Sequence, residues 1–309
     1  MEPVRLAAID VGTNTIKLLV AAFDGRQLTA LHEDSRTTRL GERVAETQRL
    51  APEAIERTVA GVGALAGRAR DMGAAHVLAV ATSGARESAN AGEFVARVRE
   101  TLGIEVEIIT GEREAELIFA GVSTDPRWSG RRLLIMDVGG GSAELITGQQ
   151  GRIEHRVSFP GGAVRLTERF LRGDPVGDEE LTALMNHQRE LIQSVLTPFA
   201  PGGRLMIGTG GTITTAAAVD QALTSFSIEK VDHYALSAQR LWQMLERLRR
   251  MPLAERQRVP GLPPKRADII VAGLAMFVTA MRLAGIPEIT VSTRGLRFGL
   301  LAEMCGLLK

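Results

Sequence analysis

One local pattern occurs twice in this chain, and it constrains the fold more than any other feature. Val4 to Ile9 is an apolar run closed by Asp10-Val11-Gly12-Thr13-Asn14-Thr15, and a second apolar run, Ile16 to Phe23, follows at once. Leu133 to Met136 is closed in the same way by Asp137-Val138-Gly139-Gly140-Gly141-Ser142, then Ala143 to Ile146 and a turn at Gly148. Asp24-Gly25 is a hairpin signal, so the glycine turn joins two antiparallel strands rather than a strand and a helix. The two aspartates, Asp10 and Asp137, stand 127 positions apart, about the length of one domain. A repeat at that period predicts two similar domains facing each other across a cleft.

The sequence between and after the repeats alternates strands with helices. Helical spacing covers Pro52 to Met72, Glu93 to Leu102 and Glu112 to Val122, with strands at His76 to Val80 and Val106 to Ile109. Beyond the second repeat, helices are expected at Asp178 to Phe199, Arg240 to Met251 and Lys265 to Leu283. Strands are expected at Leu205 to Ile207 and Glu288 to Ser292. This is an α/β pattern with mixed sheets. Asp125-Pro126 marks the boundary, giving one domain over 1–126 and a second over 127–309.

Composition narrows the partners. Thirty-seven basic residues against 36 acidic ones leave a net charge of +1, so no global field collects nucleic acid or anionic lipid. An anionic ligand must be held by a local site. A single cysteine, Cys305, forms no internal disulfide. The N-terminus has no apolar signal core, and the longest apolar stretch, Ile269 to Met281, is short of the roughly 20 residues of a membrane span. A soluble cytoplasmic protein is expected.

Three segments have the makings of a phosphate-binding turn, in which backbone N–H groups line a concavity. They are Gly12-Thr13-Asn14-Thr15, Gly139-Gly140-Gly141-Ser142, and Gly208-Thr209-Gly210-Gly211-Thr212. The third follows a strand and opens a helix, whose N-terminus suits an anion. Asp10 and Asp137, each at a strand end, and Glu144 on the returning strand are candidate ligands for a hard cation such as Mg²⁺. Arg86, after a strand and a Thr-Ser turn, is placed to meet a terminal phosphate. Glu112, Glu114 and Glu116 crowd the start of one helix, where acidic side chains favour the dipole. Glu114 shares a face with Ile118 and Gly121, and residue chemistry alone does not choose among the three.

These motifs resemble the exopolyphosphatase / guanosine pentaphosphate phosphatase family, of the superfamily of sugar kinases, Hsp70 and actin. The likeness extends to Ala81-Thr-Ser-Gly-Ala-Arg86, Gly111-Glu-Arg-Glu-Ala115, Pro160-Gly-Gly-Ala-Val-Arg165, Leu262-Pro-Pro-Lys-Arg-Ala-Asp268 and Val291-Ser-Thr-Arg-Gly-Leu296. Lys17 stands where the family usually has arginine, Thr293 where aspartate is common, and Phe298 where glutamate is common. The chain resembles the short members that lack an extra C-terminal helical region.

The resemblance implies two actin-like domains around a central cleft, with a C-terminal helix (about 296–309) packed on the first domain. It selects Glu114 as the catalytic base, and it implies phosphate contacts from the three turns, Lys17 and Arg86. Arg39 and Arg266 are expected on the substrate path. Mg²⁺ is the expected cofactor. The expected reaction is hydrolysis of the terminal phosphoanhydride of inorganic polyphosphate. The alternatives are cleavage of the alarmone pppGpp to ppGpp, a non-hydrolysing alarmone or nucleotide sensor, or a kinase on the same fold. A homodimer is expected, with no nucleic-acid or membrane partner.

Overall fold

The computed structural model describes residues 3–196 and 202–307. The expected helix end at 197–199 and the final residues 308–309 lie outside that description. The chain divides into two compact units, Met1–Arg127 with Arg294–Lys309, and Trp128–Thr293.

In the first unit, β1 (Val4–Val11), β2 (Thr15–Phe23), β3 (Leu28–Thr37), β4 (His76–Ala81) and β5 (Val106–Ile108) form one sheet in the order β3-β2-β1-β4-β5. β1 runs antiparallel to β2 and parallel to β4, and β4 is parallel to β5. Ala7, Ile9 and Val11 of β1 join Val59, Val62, Leu65 and Ala66 of the helix Pro52–Asp71 in one buried cluster. The helix Leu296–Met304 packs on β1 and against the helix Gly111–Ser123. Those two helices cross at glycines. A Cβ on Gly299 would lie 1.8 Å from the Leu117 carbonyl oxygen, and one on Gly121 would lie 2.0 Å from that of Gly295. The last helix stops before the expected limit because Gly306, at φ +65°, turns the backbone into the left-handed region.

The second unit repeats this plan. β6 (Arg132–Val138), β7 (Ala143–Gln149), β8 (Arg152–Phe159), β9 (Leu205–Thr209), β10 (Ala235–Ser237) and β11 (Glu288–Val291) are ordered β10-β11-β9-β6-β7-β8. β8-β7-β6-β9-β11 has the same sequence of antiparallel and parallel pairings as β3-β2-β1-β4-β5. β10 is an addition, antiparallel to β11. The apolar stretch that begins at Ile269 is the helix Ile270–Ala284, buried on every side from Ile270 to Met281. Its 15 residues span about 22 Å, a core helix rather than a membrane helix. Among the described residues no helix is long and apolar enough to cross a membrane. The helix starts later than the expected Lys265, because Pro263 and Pro264 set a 3-10 turn over Pro264–Arg266 first. That displacement puts Arg266 in a turn instead of on a helix face.

Candidate active site

In each unit the functional candidates sit where the first strand of the repeat ends. Asp10 lies directly opposite Lys17 across β1 and β2, and Asp137 lies directly opposite Glu144 across β6 and β7. The same register thus puts a cation beside one aspartate and a carboxylate beside the other.

The glycine turns share one hydrogen-bonding scheme. Each is closed internally, by Gly12 N–H to the Thr15 carbonyl at 3.3 Å and by Gly139 N–H to the Ser142 carbonyl at 3.0 Å. The turn carbonyls then point to the segment that follows the third strand. Thr13 accepts from Gly41 N–H, and Asn14 accepts from Thr38 and Arg39 N–H. Gly139 accepts from Ala163 N–H, Gly140 from Val164 and Arg165 N–H, and Gly141 from Gly162 N–H and from Arg165 Nε. In a trans peptide the following N–H points the opposite way. Asn14 and Thr15 in the first turn, and Gly140, Gly141 and Ser142 in the second, therefore aim their amides away from those segments. Such clustered amides suit an oxyanion. Arg39, with φ +51°, is brought to the first turn through its own amide.

Sequence reading grouped Gly208–Thr212 with the two glycine turns. By topology its counterpart is Thr82–Arg86, because each follows the strand that lies parallel beside β1 or β6. Gly208 lies within β9, where a Cβ would meet Ile289 at 2.8 Å and Ile213 at 2.9 Å. Thr212 is buried and donates its hydroxyl to the Val138 carbonyl at 3.1 Å, pinning the helix Gly210–Asp220 to β6. Gly210 and Gly211 are the pair with a chemical surrounding. Gly210 has φ +84°, and a Cβ there would fall 2.2 Å from Asp137 Oδ1. A Cβ on Gly211 would fall 2.4 Å from Arg266 Nη1. A carboxylate and a guanidinium thus cover the N-terminus of that helix.

Of the three clustered glutamates, Glu114 is the buried one, at 8% exposure, whereas Glu112 is exposed and Glu116 pairs with Arg113. Thr110 caps the helix by accepting from Arg113 N–H at 3.1 Å, which sets the first turn that carries Glu114. Arg86 Nη1 donates to Glu114 Oε2 at 3.0 Å and to the Ile109 carbonyl at 3.0 Å. Burial and the ion pair with Arg86 thus set Glu114 apart from its two neighbours.

Asp10 Oδ1 is buried and has no hydrogen-bond partner among the described residues. Burial pushes the Asp10 carboxyl above its ordinary value, with Lys17 and Arg297 pulling the other way. A hard cation would satisfy such an oxygen. Glu144 is buried too, and accepts from Ser158 Oγ at 2.7 Å. Arg297 was not singled out from the sequence. It reaches from the helix Leu296–Met304 to the Leu18 carbonyl at 2.5 Å and to Glu33 at 2.6 Å. Only the pairing of this helix with β1 and β2 could have disclosed it.

The family model of the Ppx/GppA phosphatases matches residues 19–307. The chain belongs to the Ppx/GppA phosphatase family. Curated Ppx/GppA relatives agree along the whole length. The chain is 33% identical to Exopolyphosphatase 2 of Mycobacterium tuberculosis, over 99% of this chain and 100% of that protein. It is 31% identical to Exopolyphosphatase 1 of Mycobacterium leprae, over 96% of this chain and 88% of that protein. Among solved structures, the Aquifex aeolicus Ppx/GppA family member is 30% identical, with a TM-score of 0.82 over 98% of this chain and 97% of that one. An exopolyphosphatase from Cytophaga hutchinsonii is 29% identical, with a TM-score of 0.89 over 99% of each chain. The Ppx/GppA match also accounts for the duplicated sheets as the two actin-like α/β domains of this fold.

Proposed function

We propose that the protein is an exopolyphosphatase, removing the terminal phosphate of inorganic polyphosphate as orthophosphate. The observation that carries this reading is the pairing of half-buried Arg86 with buried Glu114 at the start of the helix Gly111–Ser123, in a chain whose relatives bear the name exopolyphosphatase. Glu114 would take the proton from the attacking water as the water's oxygen bonds to the end phosphorus and the bridging P–O bond breaks. Arg86 orients the Glu114 carboxylate and would meet the same phosphate. The amides of Asn14, Thr15, Gly140, Gly141 and Ser142, with Lys17, Arg39 and Arg266, would hold phosphate oxygens as charge moves to the leaving group.

The oxygens on hand suit Mg²⁺. The buried Asp10 Oδ1, with no donor among the described residues, is what a hard cation requires, and Asp137 and Glu144 are the further carboxylates of the reading. When bound, the ion would offset charge on the phosphate oxygens. A cytoplasmic, homodimeric enzyme without nucleic-acid partners belongs to the same proposal.

The test is phosphate release by the purified protein with Mg²⁺, on long-chain polyphosphate and on pppGpp in parallel, beside Glu114→Gln. Release from polyphosphate that the variant loses is the expected result. Release from pppGpp alone would keep the chemistry and replace the substrate. Silence on both with nucleotide binding intact would overturn the hydrolase reading in favour of a sensor.

A further inference from the structure

One residue grips the second glycine turn at two successive peptides. Arg165 donates its backbone N–H to the Gly140 carbonyl at 3.2 Å and its side-chain Nε to the Gly141 carbonyl at 3.0 Å. Val164 N–H adds a bond to the Gly140 carbonyl at 2.8 Å, and Gly162 N–H adds one to the Gly141 carbonyl at 3.2 Å. The approach is backbone against backbone: a Cβ on Gly162 would stand 2.3 Å from the Gly141 carbonyl carbon. Arg165 is itself held in place, because Ala163, Val164 and Leu166 around it are buried at the start of the helix Ala163–Phe170.

Each gripped carbonyl shares a planar peptide with the N–H of the next residue. The Gly140 carbonyl is thereby coupled to Gly141 N–H, and the Gly141 carbonyl to Ser142 N–H. A donor on a peptide carbonyl polarises that peptide and strengthens its N–H in turn. A guanidinium does so more than a neutral amide, since its bond is charge-assisted. In the first turn the corresponding carbonyl, that of Asn14, accepts from the backbone amides of Thr38 and Arg39. The two turns are alike in outline, and the second has a cationic donor on the peptide that presents Ser142 N–H.

We propose that Arg165 is a positioning residue for the phosphate site: through the Gly141 carbonyl it orients and polarises the Ser142 amide toward a phosphate oxygen. This rests on the polyphosphate reading above. Arg165 touches no reacting atom in the proposal and acts only through the turn peptide.

Steady-state hydrolysis of long-chain polyphosphate and an NMR titration with inorganic phosphate, read at the Ser142 amide, test it in parallel. Arg165→Met should lower kcat/KM about tenfold and raise the phosphate Kd at Ser142 about tenfold, as for loss of one charge-assisted contact. Before any phosphate is added, the Ser142 amide proton should move upfield in this variant while that of Thr15 stays in place. Arg165→Lys keeps the charge and a donor, and the carbonyl uses one donor only, so both readouts should recover to within about threefold of wild type. If Arg165→Met fails to fold, Arg165→Gln takes its place, and its neutral N–H should leave it well below Arg165→Lys on both readouts. Equal losses in the lysine and the neutral variants would show a merely steric role and overturn the proposal. An unmoved Ser142 amide in the neutral variant, or a wild type whose Ser142 amide does not respond to phosphate, would overturn it too. A wild type that responds to phosphate at Ser142 but releases none from polyphosphate would defeat the hydrolase reading alone, and the titration would still decide the role of Arg165.

Discussion

Arg86 joins Glu114 to the end of β5: one nitrogen, Nη1, is shared between Glu114 Oε2 and the Ile109 carbonyl, each at 3.0 Å. The strand end and the first turn of the helix Gly111–Ser123 are thus fastened through the candidate base itself. Both side chains are largely buried, so the contact orients the carboxylate rather than decorating a surface.

The first expectation follows from that contact. Glu114→Gln keeps the size of the side chain and removes the proton acceptor, so phosphate release should fall by about 10²–10⁴-fold. Arg86→Lys keeps the charge but loses the planar fork, and should lower kcat about tenfold by freeing the carboxylate. Malachite-green phosphate assays on both variants check this. A Glu114→Gln enzyme of near wild-type rate would remove Glu114 from the mechanism.

Gly211→Ala offers a test that leaves every charged group in place. The added methyl would occupy the space of the Arg266 guanidinium, which is the far end of a flexible chain and can move aside. Thermal stability should therefore change by no more than about 2 °C, while polyphosphate affinity falls about tenfold, as for loss of one charge-assisted contact. Gly92→Ala, at the same second position of the helix Ala91–Leu102 and with nothing within 4 Å of a Cβ, serves as the control for the glycine-to-alanine change alone. Equal behaviour of the two variants would count against a role for Arg266.

The helix crossing in the first unit should be intolerant. A methyl on Gly299 would sit 1.8 Å from the Leu117 carbonyl oxygen, which is backbone and cannot rotate away. Gly299→Ala should cost about 1–3 kcal/mol in urea denaturation, the usual range for overpacking. It should also lower kcat, since the displaced helix, Gly111–Ser123, carries Glu114. Full stability with full activity would show that the helices part freely.

Asp10 has a signed pH consequence. Its folded value is raised by burial, so the folded protein keeps this proton to higher pH than the unfolded chain does. Ionising Asp10 then costs stability as pH rises from the ordinary value of 3.8 through the raised one. In the absence of divalent cations, Asp10→Asn should melt a few degrees above wild type at pH 7, and the gap should close toward pH 4. Adding Mg²⁺ should raise the wild-type Tm and leave the variant unmoved. A variant that melts lower at every pH would show that Asp10 is held by contacts other than these.

Much of the architecture was legible in the residues because the signals were local. Asp-Val-Gly at a strand end, repeated after 127 positions, marked both sheets, and Asp24-Gly25 marked the end of β2. The Ile269 to Met281 run announced a buried helix through its lack of any polar face. The strand β8 and the short helix Ala163–Phe170 were not read from the sequence. Their residues are mixed in polarity, and their place is set by pairing with β7 and by amides that seek the Gly139–Gly141 carbonyls.

The sequence by itself determined that the chain holds two like α/β units and which residue types crowd the strand ends, because turns, strands and periodicity depend on neighbours along the chain. Residue chemistry alone did not separate Glu114 from Glu112 and Glu116, where only the family resemblance chose, nor did it tell Gly210 and Gly211 from Gly208. It did not connect Arg297 to Glu33 and the Leu18 carbonyl. Tertiary structure decided those, since burial and ion pairing depend on which distant segments pack together. The clearest cases are a helix pressed on β1 through Gly299, and a proline turn that swings Arg266 over the start of the helix Gly210–Asp220.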